Sequence, residues 1–215
     1  MTSALAVTAR AMSDRACSAG PVWSGPLVSG VVKLSGGHVG LVLELDQAEV
    51  ERRAASGWSG VLDLGVLDAL MNLPAGVPVS WADLTERERL AVRKVPEGVV
   101  EVAGDRVVRR AVAPLTVRLA LVAARDWRSG LKRAGEFAPF CARGVVLSRV
   151  PDDVDELHLR CGVFGVGAYV ASRGEADVLL EPRAYVRQRH TAAHWRFAEE
   201  VHARISASST AWAQG

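Results

Sequence analysis

Between Val117 and Ala124 the sequence VRLALVAA carries one charge, Arg118, and is otherwise apolar. A strand this apolar has no face to offer water, so it must be covered on both sides, as in a sheet layered between helices. The residues that follow fit such layering. RSGLKRAGEFAPFC (Arg128 to Cys141) places Leu131, Ala134, Phe137 and Ala138 at helical spacing, and ARGVVLSRVP (Ala142 to Pro151) reads as a second apolar strand. Asp152 to Cys161 is expected to be a helix, GVGAYVA (Gly165 to Ala171) a third strand, ADVLLEP (Ala176 to Pro182) a fourth, and about Thr191 to Ser206 a closing helix. Strands alternating with helices predict an α/β domain with a mixed sheet.

The first half is patterned differently, so the chain as a whole reads as α+β. GPLVSGVVKLSGGHVGLVLELD (Gly25 to Asp46) has two Val/Leu-rich runs separated by Ser35-Gly36-Gly37, and glycine adopts the positive backbone angles of a tight turn. A β-hairpin is expected there, with His38 as a turn residue, since no second ligand lies near it. Glu49 to Ala55 is polar and favours helix. Val61, Leu62, Leu64, Val66, Leu67, Leu70 and Met71 recur at helical intervals until Pro74 and Gly76 stop them. Ser80 and Thr85 are successive capping candidates; Thr85-x-x-Glu88 is a good capping box, Ser80-x-x-Asp83 an imperfect one. Val95 to Val112 reads as strand, Ala-Gly-Asp turn, strand. Helix, short helix, helix and β-ribbon form the order of a winged helix-turn-helix. Such a module reads DNA with a donor-bearing helix in the groove and a basic ribbon on the backbone. The corresponding donors are Arg87, Arg89 and Arg93 on the helix from Thr85 to Val95, and Arg106, Arg109 and Arg110 at the ribbon's end. Glu86 and Glu88 share that helix and would repel phosphate, so a protein-contact role weighs equally.

Charge is divided along the chain. Residues 1–105 carry 9 basic and 13 acidic residues, whereas residues 106–215 carry 17 and 11, so the later part is the better match for an anionic partner. The basic set is 23 Arg and only 3 Lys, a bias that serves phosphate forks or reflects base composition alone. Cys17, Cys141 and Cys161 form no CxxC pair and cannot all be paired in disulfides, which suits a reducing cytoplasm. The first 20 residues lack an apolar signal core and read as a tail, and the apolar stretch from Ala111 to Ala124 is too short and too interrupted to span a bilayer.

The run ARDWRSGLKRAGEFAPFCARGVVLSRVPDD, followed by FGVGAYVASRGEADVLLEPR, resembles the later half of PD-(D/E)XK restriction-endonuclease-like domains, over about Val117 to Arg183. In those domains a strand bearing an acidic residue and a lysine runs into a helix start containing Asp-Trp. A second core strand, a helix, a Gly-Val-Gly strand and a short strand ending in Pro come after it. The resemblance implies Mg²⁺ held by carboxylates, with the lysine stabilising charge or orienting water. Carried across from Asp126-Trp127, the acid and lysine positions fall near Leu121 and Ala123, which supply neither group, and Val112 to Ala124 contains no acidic residue.

The expected organisation is a flexible tail over residues 1–24, a hairpin and winged-helix-like region over 25–112, a nuclease-like α/β domain over 113–206 and a tail over 207–215. The expected function is non-catalytic binding of nucleic acid or a protein partner, without a cofactor. Candidate phosphate contacts on the α/β domain are Arg125, Arg128, Arg133 and Arg143. The enzyme alternative is a Mg²⁺ nuclease with displaced residues, Asp126 with Lys132 and Glu136, the last two being four apart on one helical face. A solvated ion-pair spacing is the plainer reading of that pair. The structural alternative is an adaptor subunit of a larger assembly. His190, His194 and His202 have a spacing compatible with zinc, with Glu199 or Glu200 available to complete a site, although surface histidines are the plainer reading.

Overall fold

The structure is a computed structural model that describes residues 1–18, 25–58, 60–172, 175–207 and 213–214. It is a mixed α/β protein. In chain order the elements are α1 (Thr2–Ser18), β1 (Leu27–Leu34), β2 (Gly37–Leu45), α2 (Gln47–Ser56), α3 (Leu64–Met71), β3 (Pro78–Ser80) and α4 (Glu86–Lys94). Next come β4 (Val100–Ala103), β5 (Arg106–Arg109), β6 (Leu115–Ala123), α5 (Trp127–Ala134) and β7 (Ala142–Leu147). The chain closes with α6 (Val154–Phe164), β8 (Gly167–Ser172), β9 (Glu175–Leu180), α7 (Ala192–Ser206) and β10 (Ala213–Gln214). No helix among the described residues is long and apolar enough to cross a membrane.

The chain divides into two compact units, each assembled from separate segments. The first comprises residues 1–45, 116–187 and 207–215 and is built on one sheet of order β10-β1-β2-β6-β7-β8-β9. β1 and β2 form an antiparallel hairpin, turned by Ser35 and Gly36 at φ 47° and 75°. β6, β7 and β8 run parallel, and β9 returns antiparallel to β8. Side chains alternate across the sheet, so its two faces take different helices. On one face Leu5, Ala9 and Met12 of α1 pack against Val42, Leu119, Leu121, Ala123, Val146 and Tyr169. The approach is close: a Cβ on Gly40 of β2 would lie 3.1 Å from the Leu5 carbonyl oxygen. On the other face α5 meets Val145, and a Cβ on Gly130 would fall 2.5 Å from its Cγ1.

The second unit, residues 46–115 and 188–206, holds α2, α3, α4, α7 and the three-stranded sheet β3-β5-β4. Its core gathers Leu67, Leu70, Leu84, Val99, Val107 and Trp195. Helix starts follow local chemistry: Asp46 caps α2, Asp63 caps α3, and Thr85 with Glu88 forms the expected capping box on α4.

Two expectations about organisation are corrected. Residues 2–18, read as part of a flexible tail over 1–24, form α1; its inward stripe is made of Leu5, Thr8, Ala9 and Met12. Thr8 is buried without an orphaned hydroxyl because its Oγ1 donates to the Ala4 carbonyl. The boundary expected between 112 and 113 gives way to an interleaved division. The hairpin belongs with the large sheet because β2 lies beside β6, and α7 belongs with the second unit because Ala192 and Trp195 enter its core. The tail expected over 207–215 lies largely outside the described residues.

Candidate functional site

β6 carries the positions where the nuclease-like pattern wants its acid and lysine. Leu121 is 0% and Ala123 9% exposed, and both lie in the cluster closed by α1. They offer no oxygen to Mg²⁺ and no amine to a phosphate, so this strand does not fit the metal. The displaced set lies along α5 and the turn that continues it. Asp126 is the N-cap of α5, its Oδ2 accepting from the Ser129 amide at 3.0 Å. Lys132 lies on α5 and Glu136 in the 3₁₀ turn that directly continues it, Gly135 between them keeping right-handed helical dihedrals. His190 precedes α7 whereas His194 and His202 lie within it, so the three zinc-spaced histidines do not all belong to one helix. Among the described residues no three His, Cys, Asp or Glu side chains are grouped to hold a metal ion.

Beside α5 the fold does bring cations together. Arg128, Lys132 and Arg143, with Leu131, Phe164 and Val166, line an open pocket of about 320 Å³ in the first unit. Their charges are not equally committed. Arg128 pairs with Asp153 at 2.7 Å and Glu156 at 2.6 Å, and lies over the Trp127 ring at 4.3 Å. Asp153 also accepts from Trp127 Nε1, and that bond, with Arg128, holds its carboxyl below the usual range. Arg143 donates from Nη2 to the Phe164 carbonyl at 2.7 Å, while its buried Nε has no partner. Lys132 is exposed. The uncompensated charge of the pocket is therefore carried by Lys132 and Arg143.

The other expected phosphate contacts divide by what they already hold. Arg125 is exposed, and Arg133 donates to the His38 carbonyl at 3.1 Å. On the second unit, Arg89 donates to the carbonyls of Trp81 and Ala82, locking α4 to the turn before it. Arg109 donates to the carbonyls of Leu73 and Ala111, each at 2.7 Å, and packs over Trp195. Burial pushes its pKa down, and its role is to tie the β-ribbon to the core. Arg110 pairs with Glu101, Arg87 pairs with Asp68, and Arg106 stands 3.8 Å from Asp105. Arg93 lies over the Trp81 ring at 5.6 Å and remains exposed.

Sequence reasoning missed a buried ionic cluster. Arg53, 2% exposed, donates from Nε to Glu49, from Nη1 and Nη2 to the two oxygens of Glu199, and from Nη2 to the Val112 carbonyl. Glu199 also accepts from Trp195 Nε1, and Arg52 binds both oxygens of Glu49. Burial alone would lower the Arg53 pKa, but the paired carboxylates overcome it and the net direction is upward. The only local signal was Glu49 and Arg53 at i,i+4, which a solvated helix shows equally often.

His202 of α7 is half-buried with its Nδ1 unpartnered. Burial lowers its pKa, the Arg53 charge lowers it further, and Glu49 opposes both. The unfolded chain therefore takes up a proton that the folded chain refuses. Its contribution to stability is complete above the unfolded imidazole value of about 6.5 and declines as pH falls below that. The urea midpoint is expected to drop between about pH 7.5 and about pH 5.5, and His202→Gln to flatten that drop. An unchanged slope in the variant would remove His202 as the cause. No family model, curated protein or solved structure matches the chain.

Proposed function

We propose that this is a non-catalytic nucleic-acid-binding protein, in which a PD-(D/E)XK-like α/β unit without its catalytic acid and lysine accompanies a winged-helix-like unit. The order β6, α5, β7, α6, β8, β9, with Asp126-Trp127 opening α5, supports the first assignment. The helices α3 and α4 followed by the β4–β5 ribbon support the second. The observation that carries the loss of catalysis is the burial of Leu121 and Ala123 beneath α1. Binding in place of cutting is supported by the exposed cations Arg125 and Lys132 on the α/β unit and Arg93 and Lys94 on α4. Incubation with DNA and RNA plus Mg²⁺ or Mn²⁺ is expected to leave both intact, while affinity falls as salt rises. Cleavage would overturn the non-catalytic reading, and affinity indifferent to salt would overturn phosphate contact.

A second reading, an adaptor subunit, is supported by the surface of α6. Leu159 and Val163, four residues apart, are 66% and 64% exposed. Size-exclusion chromatography of the full chain tests for self-association through that face. A monomer that a Leu159→Ser, Val163→Ser variant leaves unchanged in elution and solubility would count against it.

A further inference from the structure

We propose that the pocket between α5 and α6 is a subsite for one unpaired nucleotide of a single strand, with the base against Phe164 and Leu131 and the phosphate on Lys132 and Arg143. This rests on the nucleic-acid reading above and narrows it to a strand type and a place.

Proteins that hold single strands combine an aromatic platform for the base with cations that follow the backbone. Phe164 is 55% exposed at the end of α6, beside Lys132 and Arg143, to which no carboxylate among the described residues is paired. A ring left in water is costly unless something covers it, and the flat face of a base is the cover that also brings a phosphate. Within a duplex that face is stacked on its neighbours, so Phe164 reaches it only in an unpaired nucleotide. The pocket volume, about 320 Å³, is at the lower end for small-ligand sites, which suits one nucleotide.

An α-helix C-terminus would ordinarily repel an anion. Here the end of α6 is closed. Gly165, at φ 66°, donates to the Gly162 carbonyl, Val166 donates to the Cys161 carbonyl, and Arg143 takes the Phe164 carbonyl. The carbonyls of Cys161, Gly162 and Phe164 are thus already bonded. Arg128, bound to Asp153 and Glu156, forms a wall and contributes little free charge.

The test is fluorescence-polarisation titration of the full chain with labelled oligothymidylate and with a duplex of equal length, from about 50 to about 200 mM salt. The wild type is expected to favour the single strand. Phe164→Ala is expected to weaken that binding about 5- to 100-fold, with Phe164→Trp retaining it. Lys132→Gln is expected to reduce the salt slope by about 0.7, the value for one phosphate contact on a single strand. Both side chains are at the surface, and circular dichroism of each variant confirms the fold. Preference for duplex, or variants that bind the strand like the wild type, would overturn the subsite and leave nucleic-acid binding standing. A wild type that binds neither probe would overturn the reading beneath it.

Discussion

Arg53→Ala is expected to destabilise the second unit by about 3–5 kcal/mol, because it removes the cation that bridges two buried carboxylates. Glu49 and Glu199 are 3% and 0% exposed, so neither can turn to water when the guanidinium is gone. Glu199 would keep the Trp195 indole and Glu49 would keep Arg52, but the bidentate pair to Glu199, at 2.5 and 2.8 Å, has no substitute. Arg53→Lys is expected to recover little of the loss, since one ammonium cannot serve Glu49, both oxygens of Glu199 and the Val112 carbonyl from one planar fork. The pair joins residues 146 apart in sequence and so fastens α7 to α2. A double variant, Arg53→Met with Glu199→Leu, should cost much less than the sum of the single changes, because no unpaired charge is left behind. Urea unfolding of the wild type, Arg53→Met, Glu199→Leu and the double variant measures the coupling. A cost below about 1 kcal/mol for Arg53→Ala would place the pair among solvent-exposed ion pairs and contradict the burial.

That cluster also marks where sequence reading stops. Thr85-x-x-Glu88 was legible as a capping box, and Ser35-Gly36-Gly37 as a hairpin turn, because each is decided by the backbone geometry of a few neighbouring residues. The strand at Val117 to Ala123 was legible because a continuous apolar run leaves few alternatives. Glu49, Arg53 and Glu199 were not legible as core. Burial of a charge depends on a partner elsewhere in the chain, and Glu199 by itself suggested only a metal ligand. α1 was hidden for another reason: its inward stripe mixes Leu5 and Met12 with the polar Thr8 and the small Ala9, so the apolar period is faint until a sheet lies beneath it. The pairing of β2 with β6 spans everything from Asp46 to Pro114, and no local pattern reports a neighbour at that distance. In the candidate site, Arg128, Lys132 and Arg143 had each been singled out, but their meeting at Phe164 required the packing of α5 and α6.

Placing an acidic residue on β6 is expected to unfold the first unit rather than create a nuclease. Leu121→Asp would set a carboxylate where the side chain is 0% exposed, among Leu5, Ala9, Val42, Val146 and Tyr169. None of these offers a cation, and the polar side-chain atom among them, the Tyr169 hydroxyl, is itself buried with no hydrogen-bond partner among the described residues. The loss of leucine packing alone costs about 2–5 kcal/mol, as for a Leu→Ala change in a core. The desolvated carboxylate adds to this, or takes up a proton and titrates far above its usual range. Ala123→Lys, at 9% exposure on the last residue of β6, can lift its ammonium past the strand's C-terminal end along a flexible stem and should be tolerated better. Thermal unfolding of Leu121→Ala, Leu121→Asp and the Leu121→Asp, Ala123→Lys pair is therefore expected to rank them with both aspartate variants least stable and none cutting DNA with Mg²⁺. If the paired variant melted with the wild type and cleaved, the β6 face would be open to metal and substrate. Under the proposed nuclease-like reading, the acid and lysine would then be two side chains that can be put back, not a site closed over by α1.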